Sequence, residues 1–388
     1  MHYIYLNSLI FIGWLLLAGS AAGCFYLLYA GEVTRRFASR AAERPAALPP
    51  ASILKPLCGE DPDLYENLAS FCRQHYPRWQ IVFGVQDAAD PAIAVVRRLM
   101  AEFPAADLTL VVESGRGSGN LKVANLQNML PAARHDLIVI ADSDMRVSPG
   151  YLAAVIAPLL DRATGLVTCL YRGVPAAGLW STLAALHINH GFLPQALVAE
   201  RLGASGGCFG ATIALHRDTL AAIGGFAAIA DRLADDHALG AAVRRLGRAV
   251  VLSPHIVDNI LAEPSLAALF RHELRWARTI RAIAPAGFLG SVITQPMVPA
   301  LAAVALGMQP FAAPAMLGAA LVCRAAMVRM VDRALGLRPT PLWLVPGRDL
   351  LSFAVFVASF FTRKVAWRDR TFRIGRNGRL ILDGDRPA

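Results

Sequence analysis

Lysine is nearly missing from this chain of 388 residues: of 38 basic side chains, only those at 55, 122 and 364 are lysines. Such an arginine bias is a codon-level preference, so a surviving lysine points to a site where a compact ammonium is needed rather than a planar guanidinium. Formal charge is missing altogether from residues 1–31, 173–199 and 282–323. With 55% hydrophobic residues and a mean hydropathy of +0.45, these blanks exclude an ordinary soluble enzyme. The six cysteines, at 24, 58, 72, 169, 208 and 323, lack the paired spacing of a zinc site. A cytoplasmic domain would keep them reduced, which sets structural disulfides aside. Rossmann and Walker glycine spacings, internal repeats and low-complexity tracts are absent as well.

What remains divides into membrane segments and a soluble domain. Ser8 to Ala30 is 23 apolar residues, enough to span a bilayer, and Arg35, Arg36, Arg40 and Arg44 follow it. No small-x-small cleavage site closes the stretch, so a retained anchor is expected, with the chain after it in the cytoplasm by the positive-inside rule. Residues 282–323 fit two helices turning near Gly307-Met308-Gln309-Pro310. Leu350 to Phe361, with 12 residues and a basic flank, reads as a re-entrant or interfacial helix. The net charge of +10 suits nucleic acid or anionic lipid. Because the arginines flank apolar segments, lipid is expected and nucleic acid is not.

Between residues 49 and 281 apolar runs alternate with helical patterns. Strands are expected at 51–57, 80–85, 108–112, 137–141 and 166–170, with helices at 62–73, 91–102, 120–130 and 149–160 between them. That βαβα order predicts a doubly wound, mainly parallel α/β sheet, whose ligands bind at the carboxyl ends of the strands. The charge-free stretch 173–199 contains His187 and His190. It reads as a segment on the membrane surface lining an entrance from the bilayer.

Acidic residues fall at the expected strand ends. Asp142-Ser143-Asp144 follows the buried run Leu137 to Ala141, and alternate carboxylates can grip a hard divalent cation, although Asp-Ser-Asp is also ordinary turn chemistry. Asp87 follows the strand ending at Val85 and suits the N3 proton of a uracil ring, or a turn before Pro91. Gly115 to Gly119 with Lys122 suits a phosphate, or a helix cap. Asp235-Asp236 opens a helical pattern, where a helix dipole favours them and where Asp236 can serve as a general base. His272, Arg275 and Trp276 lie on a helix leading to the charge-free stretch 282–323; Arg275 suits a diphosphate, or snorkelling at a bilayer.

Taken in order, Ser52 to Leu57, Val85-Gln86-Asp87, Asp142-Ser143-Asp144, Asp235-Asp236 and His272-x-x-Arg275-Trp276 resemble the motif set of ceramide glucosyltransferases, glycosyltransferase family 21. The likeness covers nearly the whole chain, including Trp367 to Arg370. It leans toward the bacterial branch associated with hopanoid biosynthesis through Gly206 to Thr212, Leu233 to Leu239 and His272 to Arg281. One departure is His272, where the family block begins with Gln or Arg.

The resemblance implies a GT-A nucleotide-sugar transferase fold and inverting transfer from a UDP-sugar, UDP-glucose or UDP-N-acetylglucosamine, to a lipid hydroxyl. In that reading Asp236 and Arg275 are catalytic, and Lys55, Asp87, Lys122, Asp142 and Asp235 bind the donor. Asp144 and Asp142 hold Mg²⁺ or Mn²⁺, while His272, Trp276, His187 and His190 face the acceptor. The expected layout is an anchor at 1–31, a basic linker at 32–48, the GT-A domain at 49–281, a helical hairpin at 282–335, and a re-entrant helix with basic tail at 336–388. A bacterial inner-membrane protein with a cytoplasmic catalytic domain is implied. The rivals are a processive polysaccharide synthase and a non-catalytic nucleotide-sugar-binding protein.

Overall fold

The computed structural model describes residues 2–41, 45, 47–114, 119–204, 207–361, 364–367, 370–374 and 380–382. Gly115 to Ser118 of the glycine-rich turn, Gly206, and Arg368-Asp369 lie outside these described residues. The first elements are α1 (His2–Ala38), β1 (Ala51–Pro56), α2 (Leu64–Cys72), β2 (Trp79–Val85), α3 (Ala92–Glu102), β3 (Asp107–Val112) and α4 (Leu121–Met129). Then come β4 (Leu137–Ala141), β5 (Met145–Arg146), α5 (Tyr151–Ile156), β6 (Thr164–Pro175), α6 (Gly178–His187), α7 (Leu193–Arg201), β7 (Thr212–His216) and α8 (Arg217–Ala222). They continue with α9 (Asp235–Arg245), β8 (Ala249–Leu261), α10 (Leu266–Ile283), α11 (Pro285–Gly290), α12 (Met297–Ala305), α13 (Ala312–Ala334) and α14 (Leu344–Ala358). A small antiparallel sheet of β9 (Lys364–Trp367), β10 (Arg370–Ile374) and β11 (Leu380–Leu382) follows α14.

The chain forms two compact units. The first, from 41–182, 206–264 and 364–388, holds an eight-stranded sheet in the order β3-β2-β1-β4-β7-β6-β8-β5. Strands β1 to β4 are mutually parallel, whereas β7 runs antiparallel to both β4 and β6. The sheet is therefore mixed, as in GT-A folds.

Strand periodicity explains why β4 is apolar throughout. Leu137, Val139 and Ala141 join a core with residues of α2, α3 and α5, while Ile138 and Ile140 join a second core with residues of α4, α8 and α9. Alternate side chains leave opposite faces, so a strand covered by helices on both sides has no solvent face. Each such Ile contributes about 1.5–3 kcal/mol by burial.

Expected and observed strands agree closely at β1 to β4. The expected 166–170 strand lies in the first part of the 12-residue β6, and the sequence pattern does not predict β5, β7 or β8. Polar Ser253, His255, Asp258 and Asn259 interrupt the apolar pattern of β8, which is only partly buried.

The second unit comprises 1–40, 183–205 and 265–363. The linker expected from residue 32 does not begin there: α1 continues to Ala38, and Arg35 and Arg36 in its last turn both bind Glu32. Those i,i+3 and i,i+4 pairs keep the last turns helical. Residues 9–38 and α13 are each long and apolar enough to cross a membrane. The bent pair Pro285–Thr294 and Met297–Ala305 adds a third candidate, with 65° between its halves. Pro296 precedes α12 at that break, and proline has no N–H to continue a helix across it. Gly307 and Gln309, both with left-handed φ, turn the chain into α13.

Small residues let α1 approach its neighbours. A Cβ on Gly23 would lie 2.6 Å from the Ile293 carbonyl oxygen, and one on Gly31 would lie 3.1 Å from the Met330 sulfur. Ser20 donates from Oγ to the Pro296 carbonyl at 2.9 Å. The 15-residue α14 bears Arg348 and Asp349, both buried in ion pairs.

Candidate active site

The sheet unit gathers its acidic residues where the carboxyl end of β4 meets the amino end of β7. Register pairing of Ala141 with Thr212 sets the Asp142-Ser143-Asp144 turn beside the segment that enters β7. That segment is packed onto α9, because a Cβ on Gly240 would lie 2.6 Å from Cys208 Cβ. Only a glycine allows this approach. The Gly210 amide then donates to Asp236 Oδ2 at 2.9 Å, and the His237 amide donates to Asp236 Oδ1 at 2.7 Å.

Helix α4 supplies the cation. Its N-cap Asn120 accepts from the Val123 amide and donates to the Arg232 carbonyl at 2.8 Å, tying the helix start to the loop before α9. Lys122 Nζ consequently lies 2.5 Å from Asp142 Oδ1 and 3.7 Å from Asp235 Oδ2. Burial opposes the charge on Lys122, but Asp142, Asp235 and Asp236 outweigh it and hold the ammonium well above its usual range.

Three further groups brace the acidic turn. Lys55 of β1 is fully buried, donates from Nζ to the Asp142 carbonyl, and sits 4.0 Å above the Phe71 ring. Burial lowers its pKa to about 7 against the pull of Asp142, Asp144 and Asp61. Ser143 Oγ donates to Asp61, and Asn259 of β8 donates from Nδ2 to Asp144 Oδ2 at 2.8 Å. Asp144 titrates near 6, raised by burial and by Asp142 and Asp61. Asp236 is raised to about 7 by burial and Asp235, with the His237 amide and Lys122 pulling the other way.

The Asp142-Asp144 pair suits a hard cation by its oxygen donors and by this crowding of carboxylates. Among the described residues no group of three or more His, Cys, Asp or Glu side chains is arranged to hold a metal. Two carboxylates make a partial shell of the kind that substrate phosphates and water complete.

At the end of β2, Asp87 is exposed and accepts from the Ala89 amide at 2.9 Å, a turn contact. The buried Gln86 Nε2 has no hydrogen-bond partner among the described residues, so a donor is available beside Asp87. Asp90 does more structurally: it accepts from the Gly59 amide at 2.9 Å and the Ala92 amide at 2.8 Å, joining the loops after β1 and β2.

The structure thus brings together Lys55, Lys122, Asp142, Asp144, Asp235 and Asp236, and leaves Asp87 at a separate strand end. The other five expected residues lie in the helical unit. His272 and Trp276 stack edge to face on α10 at 4.5 Å. Glu273 beside them is bound by Arg348, and the Arg275 carbonyl accepts from Thr279 Oγ1 at 2.8 Å. His187 is half-buried at the end of α6.

His190 departs from its expected acceptor-facing place. It is 3% exposed, its Nε2 lies 2.8 Å from Asp332 Oδ1, and its carbonyl accepts from Arg324 Nη1 at 2.7 Å. A carboxylate within an apolar helical unit is a better partner for a buried imidazole than an open surface.

Sequence reasoning missed Asp61, Asn259 and Gly210 as site components. Asp61 carried a signal, an acidic residue just beyond β1. Asn259 carried none, because it lies in a strand whose pattern was unreadable.

Three comparisons with known proteins bear on this arrangement. The family profile described as Glycosyl transferase family 21 matches residues 15–380. Ceramide glucosyltransferase 1 of Caenorhabditis elegans is 26% identical over 239 residues, 61% of this chain and 51% of that protein. Ceramide glucosyltransferase 3 of the same organism is 22% identical over 379 residues, 92% of this chain and 80% of that protein. Among solved structures, the mannosyltransferase PcManGT of Pyrobaculum calidifontis, in complex with GDP-Man and Mn²⁺, is similar with a TM-score of 0.54. That likeness covers 90% of this chain and 99% of the other at 22% identity, and it is a likeness of fold.

Proposed function

The chain belongs to glycosyltransferase family 21, and from that premise we propose that it moves a sugar from a UDP-sugar to a hydroxyl of a membrane lipid with inversion. The donor sugar is glucose or N-acetylglucosamine, and the acceptor is a ceramide or a hopanoid polyol. The sheet unit works at the cytoplasmic face of a bacterial inner membrane. One observation carries the reading: a carboxyl raised to about 7, Asp236, lies in the same cluster as a strongly charged ammonium paired with Asp142. A base poised near neutrality beside a site for anionic phosphate is what sugar transfer from a nucleotide needs.

In this mechanism Asp236 takes the proton of the lipid hydroxyl. The hydroxyl oxygen forms its bond to the anomeric carbon as the bond from that carbon to the diphosphate breaks, and UDP leaves with the electron pair. A single displacement inverts the anomeric centre. Lys122 turns from Asp142 toward the diphosphate and offsets its charge. Asp142 and Asp144 hold Mg²⁺ or Mn²⁺, which when bound adds counter-charge for the leaving group. Lys55 keeps the Asp142 backbone in place, Asp235 keeps Lys122 charged, and Asp87 with Gln86 holds uracil. Arg275 serves the leaving diphosphate and His187, His272 and Trp276 the acceptor, the roles that family resemblance implies. His190, committed to Asp332, has none here.

The test uses the purified full chain in lipid nanodiscs, each radiolabelled donor, and each lipid class. Label from one donor is expected in the organic phase with one acceptor. Label entering a polymer would point to a processive synthase, and no transfer from any pair would overturn the proposal.

A further inference from the structure

Gly210 has no side chain, and the space a side chain would take is where the site's charges converge. A Cβ built there would lie 3.4 Å from Asp236 Oδ2, 3.6 Å from Asp142 Oδ2 and 3.6 Å from Lys122 Nζ. These are ordinary van der Waals separations, and the Gly210 backbone is not in the left-handed region, so a methyl fits without displacing anything. The residue is part-exposed, its amide is fixed on Asp236, and Cys208 is wedged against Gly240 two residues earlier. The bare face is therefore held in position by α9.

We infer that Gly210 is a wall of the reaction space, kept bare so that the anomeric end of the sugar and the attacking hydroxyl can meet between Asp236, Asp142 and Lys122. The inference rests on the transfer reaction proposed above. A base must come within about 2.6–3.2 Å of the proton it removes. A methyl in ordinary contact with that base occupies the volume the attacking oxygen has to enter. It removes no charge and no hydrogen bond, because the Gly210 contact to Asp236 is made by the backbone.

The test compares Gly210→Ala with Gly150→Ala, whose added methyl meets nothing within 4 Å and which lies outside the site. UDP binding is measured by calorimetry, and transfer by label reaching lipid, in the full-length protein. Gly210→Ala is expected to bind UDP as the parent does and to lose turnover on the order of 100-fold, the scale of a roughly 1 Å misplacement of reacting groups. Gly150→Ala should match the parent in both. Unchanged turnover in Gly210→Ala overturns the inference, and so does equal loss of UDP binding and turnover, since the methyl would then disturb the donor or the fold. A parent protein that binds UDP but glycosylates no lipid defeats the proposed reaction instead, so the two failures are told apart.

Discussion

Arg348 and Glu273 face each other as a fork-to-fork pair, with Nη1 to Oε1 at 2.7 Å and Nη2 to Oε2 at 2.6 Å, both side chains almost fully buried. The pair joins α14 to α10, the helix bearing His272, Arg275 and Trp276. Arg348→Met should leave a buried carboxylate uncompensated and cost about 3–5 kcal/mol. The double change Glu273→Leu with Arg348→Met should recover much of that loss. Thermal melts of the full chain in detergent check both; equal melting of the single and double variants would show that the pair does not couple.

Removing the proposed base has a separate signature. Asp236→Asn keeps the side-chain size and an acceptor for the Gly210 amide, but cannot take up a proton. Turnover should fall about 10²–10⁴-fold, with UDP affinity retained. Steady-state kinetics beside calorimetry decides it, and near-parental turnover would assign the base elsewhere.

The raised carboxyls make activity and stability respond to pH in opposite directions. Asp236 shifts from 3.8 to about 7 and Asp144 from 3.8 to about 6, burial being the main cause for each. Only ionised Asp236 accepts a proton, so kcat/KM should climb as pH rises through about 7. The folded chain meanwhile keeps protons that the unfolded chain releases near pH 4. The stabilising contribution of these two groups is full below about 4 and is lost as pH rises through about 6 to 7. Melting temperatures of metal-free protein should therefore drop over the interval in which activity rises.

Metal chelation is expected to abolish transfer, with Mg²⁺ or Mn²⁺ restoring it. Asn259→Ala, which frees Asp144 from its 2.8 Å contact, should raise the metal concentration needed for half-maximal activity about 10–100-fold. Titration of activity with each cation checks it, and an unchanged requirement would separate Asn259 from the metal turn.

How far the sequence reached depends on which physical signals are local. The buried strands Ile53-Leu54, Ile81 to Phe83 and Leu137 to Ala141 were legible because helices cover both faces and leave uninterrupted apolar runs. The acidic residues after β2 and β4 were legible because they directly follow those runs, whereas Asp61, five residues beyond β1, was not. Long-range pairing was not. Lys122 reads as a phosphate ligand in sequence, yet the fold first spends its charge on Asp142, 20 positions on at the end of β4. His190 reads as exposed because nothing near it in sequence announces Asp332. The antiparallel β7 escaped notice because a five-residue run beside a helical pattern looks the same in either direction.

The contact of Ser20 with Pro296 spans 276 positions along the chain. Synthesis at about 5–20 residues per second puts roughly a quarter of a minute to a minute between the two. During that interval the small face of α1, with Gly23 and Gly31, has no partner from α12 or α13. Helix α1 also packs on α7, which is made earlier, so the helical unit closes in two stages, and the α12 and α13 side of α1 is covered only when most of these residues have been made.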